Sequence, residues 1–166
     1  MTPNEIRNFV HEHEVAVVPK KSSRLMRFLA WFLALTRINK KFLDGYVTTI
    51  GKTIYYREGW EPFHMEDDNH LRAHASTFEH EFVHVRQYEK WWVLYQISYI
   101  LLPIPFGLAW FRWRWEREAY YLANIKNGAS IDQCVNALWR YGWPWPRSWM
   151  RRWFEKQIQQ TQDPPH

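Results

Sequence analysis

The residues from His80 to His84 read His-Glu-Phe-Val-His, and they constrain this chain more than any other stretch. They lie in a run from Thr77 to Tyr88 that contains neither Pro nor Gly, which favours a helix. Residues four apart on a helix share a face, so the two imidazoles can converge on one metal ion. Glu81 then lies beside the first ligand, where its carboxylate can act as general base towards a water on the metal. The motif therefore predicts a zinc site on a helix.

A zinc site that hydrolyses a substrate uses three protein ligands and leaves the fourth position to water. The best segment for the third ligand is 115–120, which reads Trp-Glu-Arg-Glu-Ala-Tyr. Here the chain resembles the gluzincin metallopeptidases, in which a glutamate on a second helix, commonly followed by alanine, completes the site. The pair Glu118-Ala119 matches this pattern. The resemblance implies that Glu118 is the third ligand.

The run His-Glu-Phe-Val-His-Val-Arg-Gln-Tyr, with the segment 46–56 before it, is similar to small predicted metallopeptidases of bacterial and phage genomes. The similarity extends over roughly residues 45–122. Gluzincins often carry an acidic residue four positions after the ligand glutamate, whereas this chain has Leu122 there. The resemblance implies a zinc metallopeptidase that binds Zn²⁺ and hydrolyses a peptide or protein substrate.

Glu116 is the alternative third ligand. Two positions apart on a helix, the side chains of Glu116 and Glu118 point about 200° apart, so only one of them can face the metal. The site also needs a second donor for the negative charge that develops on the substrate oxygen. Tyr120, Tyr121 and His74 are candidates for that donor, and the sequence does not choose among them.

The whole chain is predicted to be α+β and mostly helical. Tyr46–Ile50 and Thr53–Arg57 are rich in β-branched and aromatic residues, and Gly51-Lys52 between them indicates a small β-hairpin. The resemblance implies that this hairpin lies beside the active-site helix and presents an edge to an extended peptide. Two capping boxes, at 76–79 and 130–133, predict helix starts. Further helices are expected at 4–10, 24–38, 112–126, 130–141 and 148–160.

The run 91–111 carries no charged residue, and its length makes it a candidate for a membrane span. Pro103 and Pro105 break the run, and a span would place Glu118 across the membrane from His84. We therefore expect a long antiparallel helical hairpin that turns at these prolines and returns Glu118 towards the histidines. The tip of this hairpin can contact a membrane without crossing it.

Residues 24–38 are dominated by apolar side chains and interrupted by three arginines. This segment is too short and too charged to span a bilayer, and we expect a packed core helix rather than an interfacial anchor. His70 and His74 also stand four apart, but no glutamate follows the first of them. We interpret them as polar residues that lead into the main helix rather than as a second metal pair.

Length and composition favour one metallopeptidase-like domain, 1–160, followed by a disordered tail at 161–166. The single cysteine, Cys134, excludes an intramolecular disulfide and a cysteine-based zinc site. The N-terminus has no basic region followed by an apolar run, so no signal peptide is visible. We therefore expect a cytoplasmic protein, with membrane association as an option.

The net charge of +5 comes from residues 112–156, which hold nine Lys or Arg against four Asp or Glu and many of the tryptophans. Such a region can meet phosphates, or it can be a solvated basic face over an aromatic core. Nucleic acid is a poor candidate because no named nucleic-acid motif is present. The alternative to an enzyme is a non-enzymatic metal-binding protein. It would associate with a protein partner or, through this region and 91–111, with a membrane.

Overall fold

The structure, a computed structural model, describes residues 1–35, 42–57, 60, 64–98, 109–139 and 146–162. Within these residues helices predominate and one three-stranded sheet is present, so the prediction of a mostly helical α+β chain is confirmed. The chain clusters into two compact units, 1–92 and 93–166. The expectation of one domain over 1–160 stays a prediction.

The first unit begins with a capped helix. The backbone N–H of Glu5 donates to the Thr2 hydroxyl, and the backbone N–H of Thr2 donates to the Glu5 carboxylate. The elements up to residue 96 are, in order, α1 (Pro3–Glu12), β1 (Ala16–Pro19), a 3₁₀ turn (Lys20–Ser22), α2 (Arg24–Leu35), α3 (Phe42–Gly45), β2 (Thr48–Ile50), β3 (Thr53–Tyr56), α4 (Asp68–Ala73) and α5 (Ala75–Gln96).

The three strands form one sheet in the order β1-β3-β2. β2 and β3 are antiparallel, with Thr49 opposite Ile54, so the predicted hairpin is confirmed. β1 pairs parallel to β3, with Val17 opposite Ile54. The sequence did not predict β1, because a segment of four residues is too short to show a strand pattern and becomes a strand by pairing with β3.

Gly51→Ala is expected to lower the free energy of unfolding by about 1 kcal/mol, because Gly51 has a φ of +61° that a residue with a Cβ adopts only under strain. The added methyl would meet the Tyr88 ring at an ordinary 3.6 Å, so backbone strain is the main cost. Gly45→Ala is the control, since its Cβ would meet no described atom within 4 Å. Urea denaturation measures both variants, and an equal loss in both would contradict this reason.

The core of the first unit fixes α5 against α1 and the hairpin. The rings of Phe9 on α1 and Phe82 on α5 stack with centroids 3.9 Å apart. The Glu89 carboxylate on α5 contacts His13 Nδ1 at 2.8 Å and Lys52 Nζ at 3.1 Å, which ties α5 to the hairpin turn. The buried cluster comprises Ile6, Phe9, Val15, Ile54, Tyr56, Trp60, Leu71, Phe78, Phe82 and Val85. The helix that carries the motif is therefore held along its length.

Helix α5 differs from the sequence prediction at both ends. It begins at Ala75, so Ser76 is a residue within the helix rather than its cap. At Trp92 the backbone has φ 44° and ψ −124°, which are not helical angles. The first arm of the expected helical hairpin is therefore kinked at Trp92. The predicted turn lies in 99–108, outside the described residues.

Helix α2 is exposed on most of its surface. Met26 is fully buried, whereas Trp31 is 60% and Leu35 is 66% exposed. The expectation of a packed core helix is therefore wrong for the outer side of α2, since too little of the unit covers it. Among the described residues, no helix combines the length and the hydropathy that crossing a bilayer requires.

The second unit is helical in its described part. Its helices are α6 (Ala109–Tyr120), continued by a π-helical turn (Tyr121–Ile125), α7 (Ile131–Trp139) and α8 (Arg147–Gln162). The predicted capping box before α7 is confirmed: Gln133 N–H donates to the Ser130 hydroxyl, and Ser130 N–H donates to the Gln133 side chain. α8 extends to Gln162, so the first two residues of the expected disordered tail are helical. Residues 163–166 lie outside the described part.

An aromatic core explains much of the Trp and Arg content of this unit. The guanidinium of Arg117 lies 4.6 Å from the ring centroid of Trp153 and 5.7 Å from that of Trp113, which is fully buried. Burial raises the pKa of the Cys134 thiol to about 11, so this thiol is neutral at physiological pH. The buried cluster comprises Trp113, Tyr121, Cys134, Val135, Leu138, Met150 and Phe154.

The end of α5 contacts α6 within the second unit. The indole N–H of Trp115 donates to the Ser98 hydroxyl at 3.0 Å, and the Ser98 hydroxyl donates to the Tyr95 carbonyl at 2.9 Å. The rings of Tyr95 and Trp115 also meet edge to face at 5.3 Å. Residues 95–98 therefore contact α6, the helix that carries the two candidate glutamates.

Candidate metal centre

His80 and His84 lie one turn apart on α5, as the motif predicts. Their Nε2 atoms are 3.2 Å apart, and their rings are nearly perpendicular, at 79°. His84 is buried and His80 is half-buried. The two lone-pair positions therefore point at one common location beside the helix.

The separation of these nitrogens fits a zinc ion. A zinc–nitrogen bond is about 2.0–2.1 Å long, so two nitrogens at the tetrahedral angle are about 3.3 Å apart. The observed 3.2 Å between His80 Nε2 and His84 Nε2 agrees with this value. The α5 backbone already holds the two imidazoles at ligand spacing.

Gln87 fixes the tautomer of one of these imidazoles. Its Oε1 lies 2.9 Å from His84 Nδ1, and both side chains are buried. Because a carbonyl oxygen only accepts, the proton is on Nδ1 and the lone pair of neutral His84 is on Nε2. A hydrogen bond of this kind orients a metal-binding histidine and raises the basicity of its ligand nitrogen.

Glu81 is held from the sheet. The hydroxyl of Thr49 on β2 donates to Glu81 Oε2 at 2.6 Å, and both residues are buried. A hydroxyl–carboxylate hydrogen bond is charge-assisted and fixes the orientation of the carboxylate. One Glu81 oxygen is thus engaged by β2, while the helix places the carboxyl group next to His80. This arrangement suits a base that takes a proton from a bound water.

In the zinc hydrolase that the resemblance implies, Thr49→Val is expected to lower kcat/KM for peptide hydrolysis about tenfold while zinc content stays unchanged, because Glu81 loses the donor that orients it. The matched control is Thr48→Val on the same strand, whose hydroxyl has no hydrogen-bond partner among the described residues. Steady-state kinetics with zinc analysis of both variants is the measurement. Equal rates for the two variants would remove the positioning role of Thr49.

The two candidate glutamates of α6 have opposite environments. Glu116 is 1% exposed and shares its side of α6 with Trp113 and Ala119, which are both fully buried. Glu118, the ligand implied by the resemblance, is exposed to solvent. Glu116 therefore faces the packed side of α6, whereas Glu118 faces solvent.

Each unit by itself contributes potential metal ligands. His80 and His84 of the first unit supply two imidazole nitrogens 3.2 Å apart, and the second unit has one buried glutamate on α6, Glu116. Two imidazole nitrogens and one carboxylate oxygen form a donor set typical of a catalytic zinc site, which leaves the fourth position open.

Of the three candidates for a second oxyanion donor, the structure argues against Tyr121 and does not choose between His74 and Tyr120. The Tyr121 hydroxyl donates to the Gln157 carbonyl at 3.1 Å, so it is engaged by α8. His74 stacks on Trp60 with ring centroids 4.0 Å apart. Burial lowers the pKa of His74, with further lowering by His70, so a neutral imidazole is favoured there. His74 and Tyr120 both stay candidates.

The His-Glu-Phe-Val-His motif does not reveal three further residues of the candidate metal centre: Thr49, Gln87 and Glu116. Thr49 is 32 positions before Glu81, and only the sheet brings it there. Helical spacing does not single out Glu116, because Trp113 and Ala119 flank it at three residues just as Trp115 and Tyr121 flank Glu118. Gln87 is three residues after His84, one turn along the same helix.

Comparisons with known proteins found no relative of this chain. No protein-family model, curated protein or solved structure matches the chain. A function can therefore be inferred only from the residues and their geometry.

Proposed function

We propose that this protein is a zinc-dependent peptide hydrolase of the gluzincin type. His80, His84 and Glu116 are the proposed zinc ligands, and Glu81 is the proposed general base. The observation that carries the proposal is the pair of imidazole nitrogens held 3.2 Å apart on α5, beside a carboxylate held by Thr49. Glu116 replaces Glu118 as the proposed third ligand because it is the buried carboxylate of the pair.

The proposed chemistry divides between the metal and Glu81. When bound, zinc lowers the pKa of a coordinated water to about 7 and polarises the substrate carbonyl. Glu81 accepts the proton of the attacking water and later delivers it to the leaving amine. Thr49 keeps the Glu81 carboxylate oriented, and Gln87 keeps the lone pair of His84 on Nε2. His74 or Tyr120 would donate a hydrogen bond to the substrate oxygen.

The position of β2 favours an extended peptide as substrate. β2 is at one edge of the sheet and pairs with β3 alone among the described strands. An edge strand offers unpaired backbone groups to which a peptide can add as a further strand. Because Thr49 of β2 contacts Glu81, a peptide on this edge would run close to the base.

Metal analysis combined with a hydrolysis assay tests the proposal. The purified protein is expected to carry about one zinc per chain and to cleave an unfolded polypeptide such as casein. Removal of the metal by a chelator should abolish cleavage, and added zinc should restore it. Zinc binding without cleavage of any unfolded substrate would support a structural metal instead. A chain that binds no zinc would overturn the proposal.

A further inference from the structure

The outer face of α2 is an apolar surface that the proposed hydrolase function does not use. At 100° per residue its five side chains fall within an arc of about 120°, on the side opposite Met26. Their exposed fractions range from 47% to 66%. The outer face consists of Leu25, Phe28, Trp31, Phe32 and Leu35.

Helix α2 is anchored to the first unit at its beginning. The ammonium of Lys20, in the turn before α2, donates to the Tyr46 carbonyl at 2.7 Å and lies 4.2 Å from the centre of the Tyr46 ring. Lys20 is 1% exposed, and Met26 in the first turn of the helix is fully buried. The inner side of α2 thus packs on the unit while the outer face is presented to solvent.

The charge around α2 has a single sign. From Val15 to Leu43 the sequence contains seven Lys or Arg and no Asp or Glu. Arg24 and Arg27 are both exposed: Arg24 lies at the N-terminal end of the outer face, and Arg27 lies about 40° beyond its edge. A helix with Trp, Phe and Leu on one side and basic residues along its border is suited to an anionic membrane surface. It can lie in the plane of the headgroups, where Trp is favoured.

We propose that the outer face of α2 binds the surface of an anionic lipid bilayer. The apolar side chains enter the boundary between headgroups and acyl chains, and the bordering arginines pair with lipid phosphates. Twelve helical residues span about 18 Å, which fits a helix lying on a bilayer and is too short for one crossing it. The basic segment favours a lipid surface over a second copy of this chain, because two copies would bring like charges together.

Vesicle sedimentation tests this proposal. The wild-type protein is expected to pellet with phosphatidylcholine vesicles that contain about 30% phosphatidylglycerol, and far less with phosphatidylcholine alone. Phe28→Ser combined with Trp31→Ser should weaken binding at least about tenfold. The comparison variant is Trp139→Ser, which changes a 45% exposed tryptophan of the basic region 112–156 and should leave binding unchanged. An equal loss in Trp139→Ser would place the lipid contact in that region and would overturn the proposal. Arg24→Glu combined with Arg27→Glu should abolish the preference for anionic vesicles.

Zinc content and circular dichroism must match wild type in all variants, so that loss of binding is not loss of fold. Equal pelleting with neutral and anionic vesicles, or binding that survives both double variants, would overturn the proposal. Light scattering without lipid tests whether the outer face of α2 instead binds a second copy of this chain. A wild-type dimer that becomes monomeric in Phe28→Ser/Trp31→Ser would identify a self-association face and would overturn the lipid proposal. The hydrolase assay is independent of this readout.

Discussion

Glu81→Gln is expected to lower peptide hydrolysis by about two to four orders of magnitude while zinc binding and stability stay close to wild type. Glutamine keeps the size of the side chain, and its amide oxygen can still accept the hydrogen bond from Thr49. The amide cannot take a proton from the attacking water, so only the chemical step is lost. Single-turnover kinetics together with metal analysis separates the base from the ligands.

Two outcomes would contradict this role of Glu81. Loss of zinc in Glu81→Gln would make Glu81 a ligand rather than a base. An active wild type whose rate survives the substitution would point to another base, and His74 is the first candidate because a neutral imidazole is favoured there. Thr48→Val serves as the control for a substitution in the neighbouring strand that does not contact the Glu81 carboxylate.

Glu116→Gln is expected to weaken zinc binding by about a hundredfold or more, whereas Glu118→Gln should change it less than about twofold. The reason is that an amide is a much poorer zinc ligand than a carboxylate, and Glu116 is the buried glutamate that we propose as the third ligand, whereas Glu118 is exposed. His84→Ala is the positive control and should lose zinc, as should His80→Ala. Competition with a chromophoric chelator measures all four variants.

The comparison of Glu116 with Glu118 also tests which carboxylate faces the histidines. Equal effects of the two substitutions would mean that neither glutamate is the third ligand. A larger effect of Glu118→Gln would restore the assignment that the resemblance implies. Retention of zinc in both His80→Ala and His84→Ala would contradict the whole centre, because these side chains supply two of its three donors.

Cys134 is not expected to contribute to the pH dependence of the proposed hydrolysis. Burial raises the pKa of its thiol to about 11, far above the range in which such an enzyme would be assayed. The thiol lies in the core of the second unit and behaves as a small apolar side chain.

The sequence by itself determined the local features of this protein. Helical spacing alone places His80 and His84 one turn apart, and the turn at Gly51 alone defines the hairpin. The box from Ser130 to Gln133 caps α7 as its pattern predicts. Each feature depends on interactions within a few residues, and such interactions are encoded directly in residue order.

Tertiary structure alone decided which glutamate is buried, which residue contacts Glu81 and which side of α2 is exposed. Glu116 and Glu118 have the same chemistry, and only the burial of one side of α6 distinguishes them. Thr49 reaches Glu81 because the sheet packs against α5, and α2 exposes its outer face because only its inner side is covered. Contacts between segments distant in sequence depend on which surfaces the whole chain buries, and no local pattern contains that information.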